Sequence, residues 1–147
     1  MKKFKSSMLG VTLLEIMLVL AIAAMIIVMS IRYYQSAGTS NQANAVLQQI
    51  QAITAMADNL AQTNGSYSQI SSGTLKPLLP GNSFTAPWGG AITISNPTTI
   101  SYDVSIASTP GAVCTLILNR LKNNAQYTGV TCPPSGGNLT YTYKPSP

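Results

Sequence analysis

With 147 residues the chain has room for one modest domain and one further segment. Charged residues make up only 7% of it, there is no histidine, and its only carboxylates are Glu15, Asp58 and Asp103. This inventory argues against an enzyme, because a hydrolase triad lacks its histidine, a metal site lacks ligands, and a paired-carboxylate site would need Asp58 and Asp103 to converge. No catalytic residue, metal or cofactor is expected.

The first element begins with a cluster of positive charge, Lys2, Lys3 and Lys5, followed by Gly10 and an apolar run from Val11 to Ile31. These three lysines carry much of the formal net charge of +5, and the rest of the chain is close to neutral. The run holds 21 residues, of which only Glu15 is charged. As a helix it is about 31 Å long, which matches a hydrocarbon layer of about 30 Å. A cleaved secretory signal has a shorter apolar core, and although Ala21, Ala23 and Ala24 mimic a cleavage site, Met25 to Met29 continue apolar past them. A retained membrane segment is therefore expected. Only Arg32 follows it closely, so the N-terminus stays cytoplasmic and the rest lies outside the inner membrane. Tyr33 and Tyr34 are placed to act as interfacial anchors. Glu15 costs roughly 2.5–3.5 kcal/mol at mid-bilayer and less near an end. It either snorkels to the headgroups or is kept for a positive partner.

No proline occurs between Val11 and Gln62, and Gly38 is the only glycine. Val46, Leu47, Ile50, Ile53, Ala57 and Leu60 recur every three or four residues, so an amphipathic helix follows and the membrane helix runs on into it. Asn64, Gly65 and Ser66 end it with turn chemistry, and the proline- and glycine-rich stretch to Gly90 reads largely as loop. Strand patterns follow at Ala91 to Ser95, at Ile100 to Ile106 with Ile100, Tyr102, Val104 and Ile106 on one face, and at Leu139 to Tyr143. Between them Thr109 caps a helix with Pro110 in its first turn and an apolar stripe of Val113, Leu116, Ile117 and Leu121. Tyr127 to Thr131 reads as a further short strand. The head is thus expected to be α+β, an antiparallel sheet packed on the outer half of the long helix. Cys114 and Cys132, with 17 residues between them, read as a disulfide in an oxidising compartment, two buried free thiols being the alternative. Lys76, Arg120, Lys122 and Lys144 are scattered, so no clear nucleic-acid site is expected.

Gly10, an apolar residue, Thr12, Leu13, Leu14 and Glu15 before a hydrophobic helix resemble the class III leader of type IV pilins and type II secretion pseudopilins. The resemblance implies that a prepilin peptidase cuts between Gly10 and Val11 and methylates the new N-terminus at Val11. It implies that Glu15 pairs with the Val11 amine of a neighbouring subunit. The order of long helix, variable loop, sheet and late disulfide is similar to the pilin fold. Val11 at the mature N-terminus, and Tyr102 to Ile106 leading into Cys114, Thr115, Leu116 and Ile117, resemble the type IVb branch. The leader is shorter and the head smaller than is usual there.

On this resemblance 1–10 is a leader, 11–31 the membrane and filament-core half of the helix, 32–63 its amphipathic half, and 64–147 the head. The expected function is that of a structural subunit of a helical homopolymer, serving adhesion, bundling, conjugation or a related surface role. The chain would be held in the inner membrane before assembly by an ATPase and platform machinery, and would be extracellular in the pilus afterwards. The absence of proline and glycine between Val11 and Ala37 argues against extensive melting of that half. Pro87, Trp88 and Gly89 resemble a motif of the major pseudopilin, but no acidic residue follows Asp103 to build that family's calcium site. A pseudopilin, a minor initiating pilin that happens to keep Glu15, and a periplasmic binding protein on an uncleaved anchor remain as alternatives.

Overall fold

The structure, a computed structural model, describes residues 12–145. Its arrangement is α+β, with one long helix, a four-stranded antiparallel sheet and a second helix. The chain forms two compact units that divide between Ala37 and Gly38.

The long helix α1 spans Leu13–Asn64, 52 residues in one element, and carries Gly38 without a break. It stops at Gly65, whose φ of 73° is the left-handed conformation that closes helices and that a side chain disfavours. In the first unit the helix is exposed all round, with Leu13, Leu14 and most apolar side chains to Ile31 open to the surroundings. Among the described residues it is the one helix long and apolar enough to cross a membrane.

In the second unit α1 buries one stripe: Ala43, Val46, Ile50, Ile53, Thr54, Ala57 and Ala61. The 3.6-residue period puts these side chains on a single face, and Leu47 and Leu60 flank it half-buried. The stripe meets the inner face of the sheet, which comprises β1 (Ile92–Ser95), β2 (Tyr102–Thr109), β3 (Tyr127–Thr131) and β4 (Gly137–Tyr143) in the order β1-β2-β4-β3. Alternation along the strands sends Tyr102, Val104 and Ile106 of β2, and Leu139, Tyr141 and Tyr143 of β4, into one core with the helix. Asp103, Ser105, Thr140 and Thr142 take the opposite face.

Between β2 and β3 runs α2 (Gly111–Lys122), which buries Val113, Cys114, Ile117 and Leu121. Gly111 is required by close approach, since a Cβ there would collide with the Pro134 carbonyl oxygen. Cys114 of α2 and Cys132, the residue after β3, form a disulfide with Cα atoms 5.6 Å apart.

Four local expectations change. Ile100 lies before β2 and is 55% exposed, because the Thr98–Ser101 turn, closed by Thr98 Oγ1 accepting from the Ser101 amide at 3.0 Å, ends at the strand's edge. Thr109 does not cap α2; its hydroxyl turns back to donate to the Ile106 carbonyl at 3.2 Å, and Pro110 precedes the first turn instead. Leu116, placed in the buried stripe by spacing, is 40% exposed. The segment before Gly90 contains a short helix, Ser72–Leu75, held by a reciprocal cap between Ser71 and Thr74, and two 3-10 turns.

The outer edge of β1 is occupied. Phe84 and Ser72 supply acceptors to the amides of Ile92 and Ile94 on β1, at 2.9 and 3.1 Å, and α2 packs along β3.

Candidate functional site

Glu15 is the feature the sequence marks most strongly, and the structure gives it a local role. The helix starts at Leu13, so Thr12 is the cap and Glu15 occupies the third helical position. Glu15 Oε2 accepts from the Thr12 backbone amide at 2.9 Å and from the Thr12 hydroxyl at 3.1 Å. The Thr12 hydroxyl in turn accepts from the Glu15 amide at 3.3 Å. This is a capping box. Its signal in the sequence is Thr-x-x-Glu before an apolar run, which a reading of Glu15 by charge alone does not pick up.

The cap engages only part of the carboxylate. All three bonds run through Oε2 or the Thr12 hydroxyl, and Oε1 makes no hydrogen bond among the described residues. Gly10 and Val11, the expected cleavage pair and site of methylation, lie outside the described residues. Arg32, Tyr33 and Tyr34 are exposed on the helix beyond the apolar run.

The head holds a second polar centre that sequence reading did not find. Asp58, on α1, accepts from the Tyr67 hydroxyl at 2.7 Å and from the Tyr143 hydroxyl at 3.1 Å, one phenol on each carboxylate oxygen. Tyr67, Tyr102 and Tyr143 pack ring against ring at centroid distances of 5.3–6.3 Å. Tyr127 joins Tyr143 at 5.6 Å and Tyr141 at 5.5 Å. Burial raises the pKa of Tyr67 and Tyr143 above the ordinary tyrosine range, and the negative charge of Asp58 raises it further. Burial also raises Tyr102 and Tyr141, whose hydroxyls find no hydrogen-bond geometry among the described residues; for Tyr102 the nearby Thr54 hydroxyl opposes the rise.

Asp103 sits on the other face of the sheet, where it accepts from Thr142 Oγ1 at 2.6 Å and Asn96 Nδ2 at 2.8 Å. The two head carboxylates are thus separated by the sheet itself, so they cannot share an acid–base reaction. Among the described residues no group of three or more histidine, cysteine or acidic side chains converges. Trp88 is tied into the fold by its indole N–H, which donates to the Ala107 carbonyl at 3.0 Å.

No protein-family model, curated protein or solved structure matches the chain significantly.

Proposed function

We propose that this chain is a structural subunit of a type IV pilus-like filament, stored in the inner membrane through its apolar helix and assembled by extraction of that helix into a packed core. The observation that carries the reading is Glu15: a lone carboxylate at the start of an exposed apolar helical stretch, with one oxygen capped by Thr12 and the other without a hydrogen bond among the described residues. Exposed apolar side chains all round a helix need lipid or other helices to cover them. An ionisable group in such a segment is a functional group by default. A positive partner from a neighbouring copy, the amine of Val11 after removal of residues 1–10, would satisfy Oε1 and set the axial register of one helix against the next.

The head is compatible with this reading: half of a long helix lies on an antiparallel sheet, and a disulfide ties the last helix to the last hairpin. Assembly machinery and a prepilin peptidase are partners that the proposal requires.

Two measurements test it together. N-terminal sequencing of the mature protein is expected to begin at a methylated Val11, and a start at Met1 would overturn the reading. Glu15→Ala is expected to leave the protein in the membrane fraction while depleting filaments, and normal filament yield would remove the pairing argument.

A further inference from the structure

On the head, α1, α2 and the start of β3 enclose a groove of about 740 Å³, within the size range of small-molecule sites. Its walls are unusual in chemistry. Asn44, Gln48 and Gln51 project from successive turns of α1, facing Asn124 and Gln126 beyond the end of α2. One carboxylate, Asp58, and one guanidinium, Arg120, also line it, without an ion pair between them among the described residues. Half-buried Tyr127 adds an aromatic surface, and Leu47 and Ala55 add small apolar patches.

We propose that this groove binds a neutral saccharide. Carboxamides present donor and acceptor side by side, which suits ligands whose hydroxyls both give and take hydrogen bonds. The opposed single charges of Asp58 and Arg120 leave no net field to favour an anion or a cation. The Tyr127 ring and the apolar patches offer a surface for the C–H face of a sugar ring. Asn44, Gln48, Gln51 and Arg120 make no side-chain hydrogen bond among the described residues and are exposed, so they are available without disturbing the core. Hydrolysis is not part of the proposal: both Asp58 oxygens are held by phenols, and a glycosidase needs a second carboxylate on the facing side of the bond. Asp103 is on the far side of the sheet.

The inference does not rest on the filament reading, because it concerns the dispersed protein. The full chain is dispersed in a polyoxyethylene detergent, which has no sugar headgroup, and passed over immobilised neutral trisaccharides ending in glucose, galactose or N-acetylglucosamine, with heparin as the anionic comparison. At least one neutral trisaccharide is expected to be retained more tightly than heparin. Gln51→Ala and Arg120→Ala are each expected to weaken that binding about tenfold with an unchanged melting temperature, whereas Thr93→Ala, on the opposite sheet face, leaves it unaltered. Failure to retain any neutral trisaccharide, tighter retention on heparin, or binding indifferent to both groove variants would overturn the proposal. So would disulfide-linked dimers of Gln51→Cys in the dispersed protein, which would give the groove to a second copy of the chain.

Discussion

Asp58 and the tyrosines around it show how little a residue's identity says without its neighbours. The carboxylate looks from the sequence like one more polar position on an amphipathic helix. In the fold it accepts two phenolic hydrogen bonds, and a bond to a charged acceptor is worth more than a neutral one. Tyr143→Phe is therefore expected to lower the stability of the head by about 2 kcal/mol. Tyr141→Phe removes a buried hydroxyl with no partner among the described residues, and should be neutral within about 0.5 kcal/mol or stabilising. Urea titration of the two variants compares them directly, and equal losses would count against the assigned bonds. The same centre sets an alkaline limit. Unfolded tyrosine titrates near 10.0, whereas Tyr67 and Tyr143 hold their protons to higher pH in the fold because burial and Asp58 disfavour the phenolate. Above that value the unfolded state releases protons that the folded state keeps, so the contribution is fully present below pH 10 and is lost as pH rises beyond it. The urea midpoint is expected to be flat between about pH 7 and about pH 9 with respect to these phenols and to fall by about pH 11.

At the scale of elements, the disulfide joins two pieces with different legibility. The helix carrying Cys114 is visible from its apolar spacing, and its observed span is Gly111–Lys122. The strand before Cys132 is mostly exposed, with only Val130 buried, so its periodicity is faint. The bond between them closes a loop of 17 intervening residues. Cys114→Ser combined with Cys132→Ser is expected to cost about 3 kcal/mol, read as a lower melting temperature and as proteolysis between α2 and β4. Unchanged melting would mean that packing of Val113, Ile117 and Leu121 alone holds α2. Gly111 belongs to the same corner: its contact with the Pro134 carbonyl could not be read locally, because the two residues approach only once the hairpin is formed.

Considered whole, the molecule separates its two kinds of apolar surface. Every residue of the packed core lies at or after Ala43, whereas the densest apolar run, Leu13 to Ile31, is exposed. A fragment covering residues 38–147 is therefore expected to fold without detergent and to melt cooperatively, since it retains the entire described core. Circular dichroism and gel filtration check this, and aggregation of the fragment would show that the first unit protects part of the head. The full chain, by contrast, is expected to require detergent.

Features that are local and periodic can be read from the chain alone. A long helix with an apolar first stretch, an amphipathic second stretch, a lone carboxylate near its start and an α+β head all follow from spacing, because 3.6- and 2-residue repeats are written along the sequence. The meeting of distant segments needs the folded molecule: β4 inserted between β2 and β3, Asp58 brought to Tyr67 and Tyr143, Asp103 placed across the sheet from it, and the amide-lined groove between α1 and α2. Thr12 falls between the two cases, since its reciprocal bonds with Glu15 span only three residues and their pattern is present in the sequence. Strand order and side-chain partners depend instead on contacts across tens of residues, and no single segment encodes them.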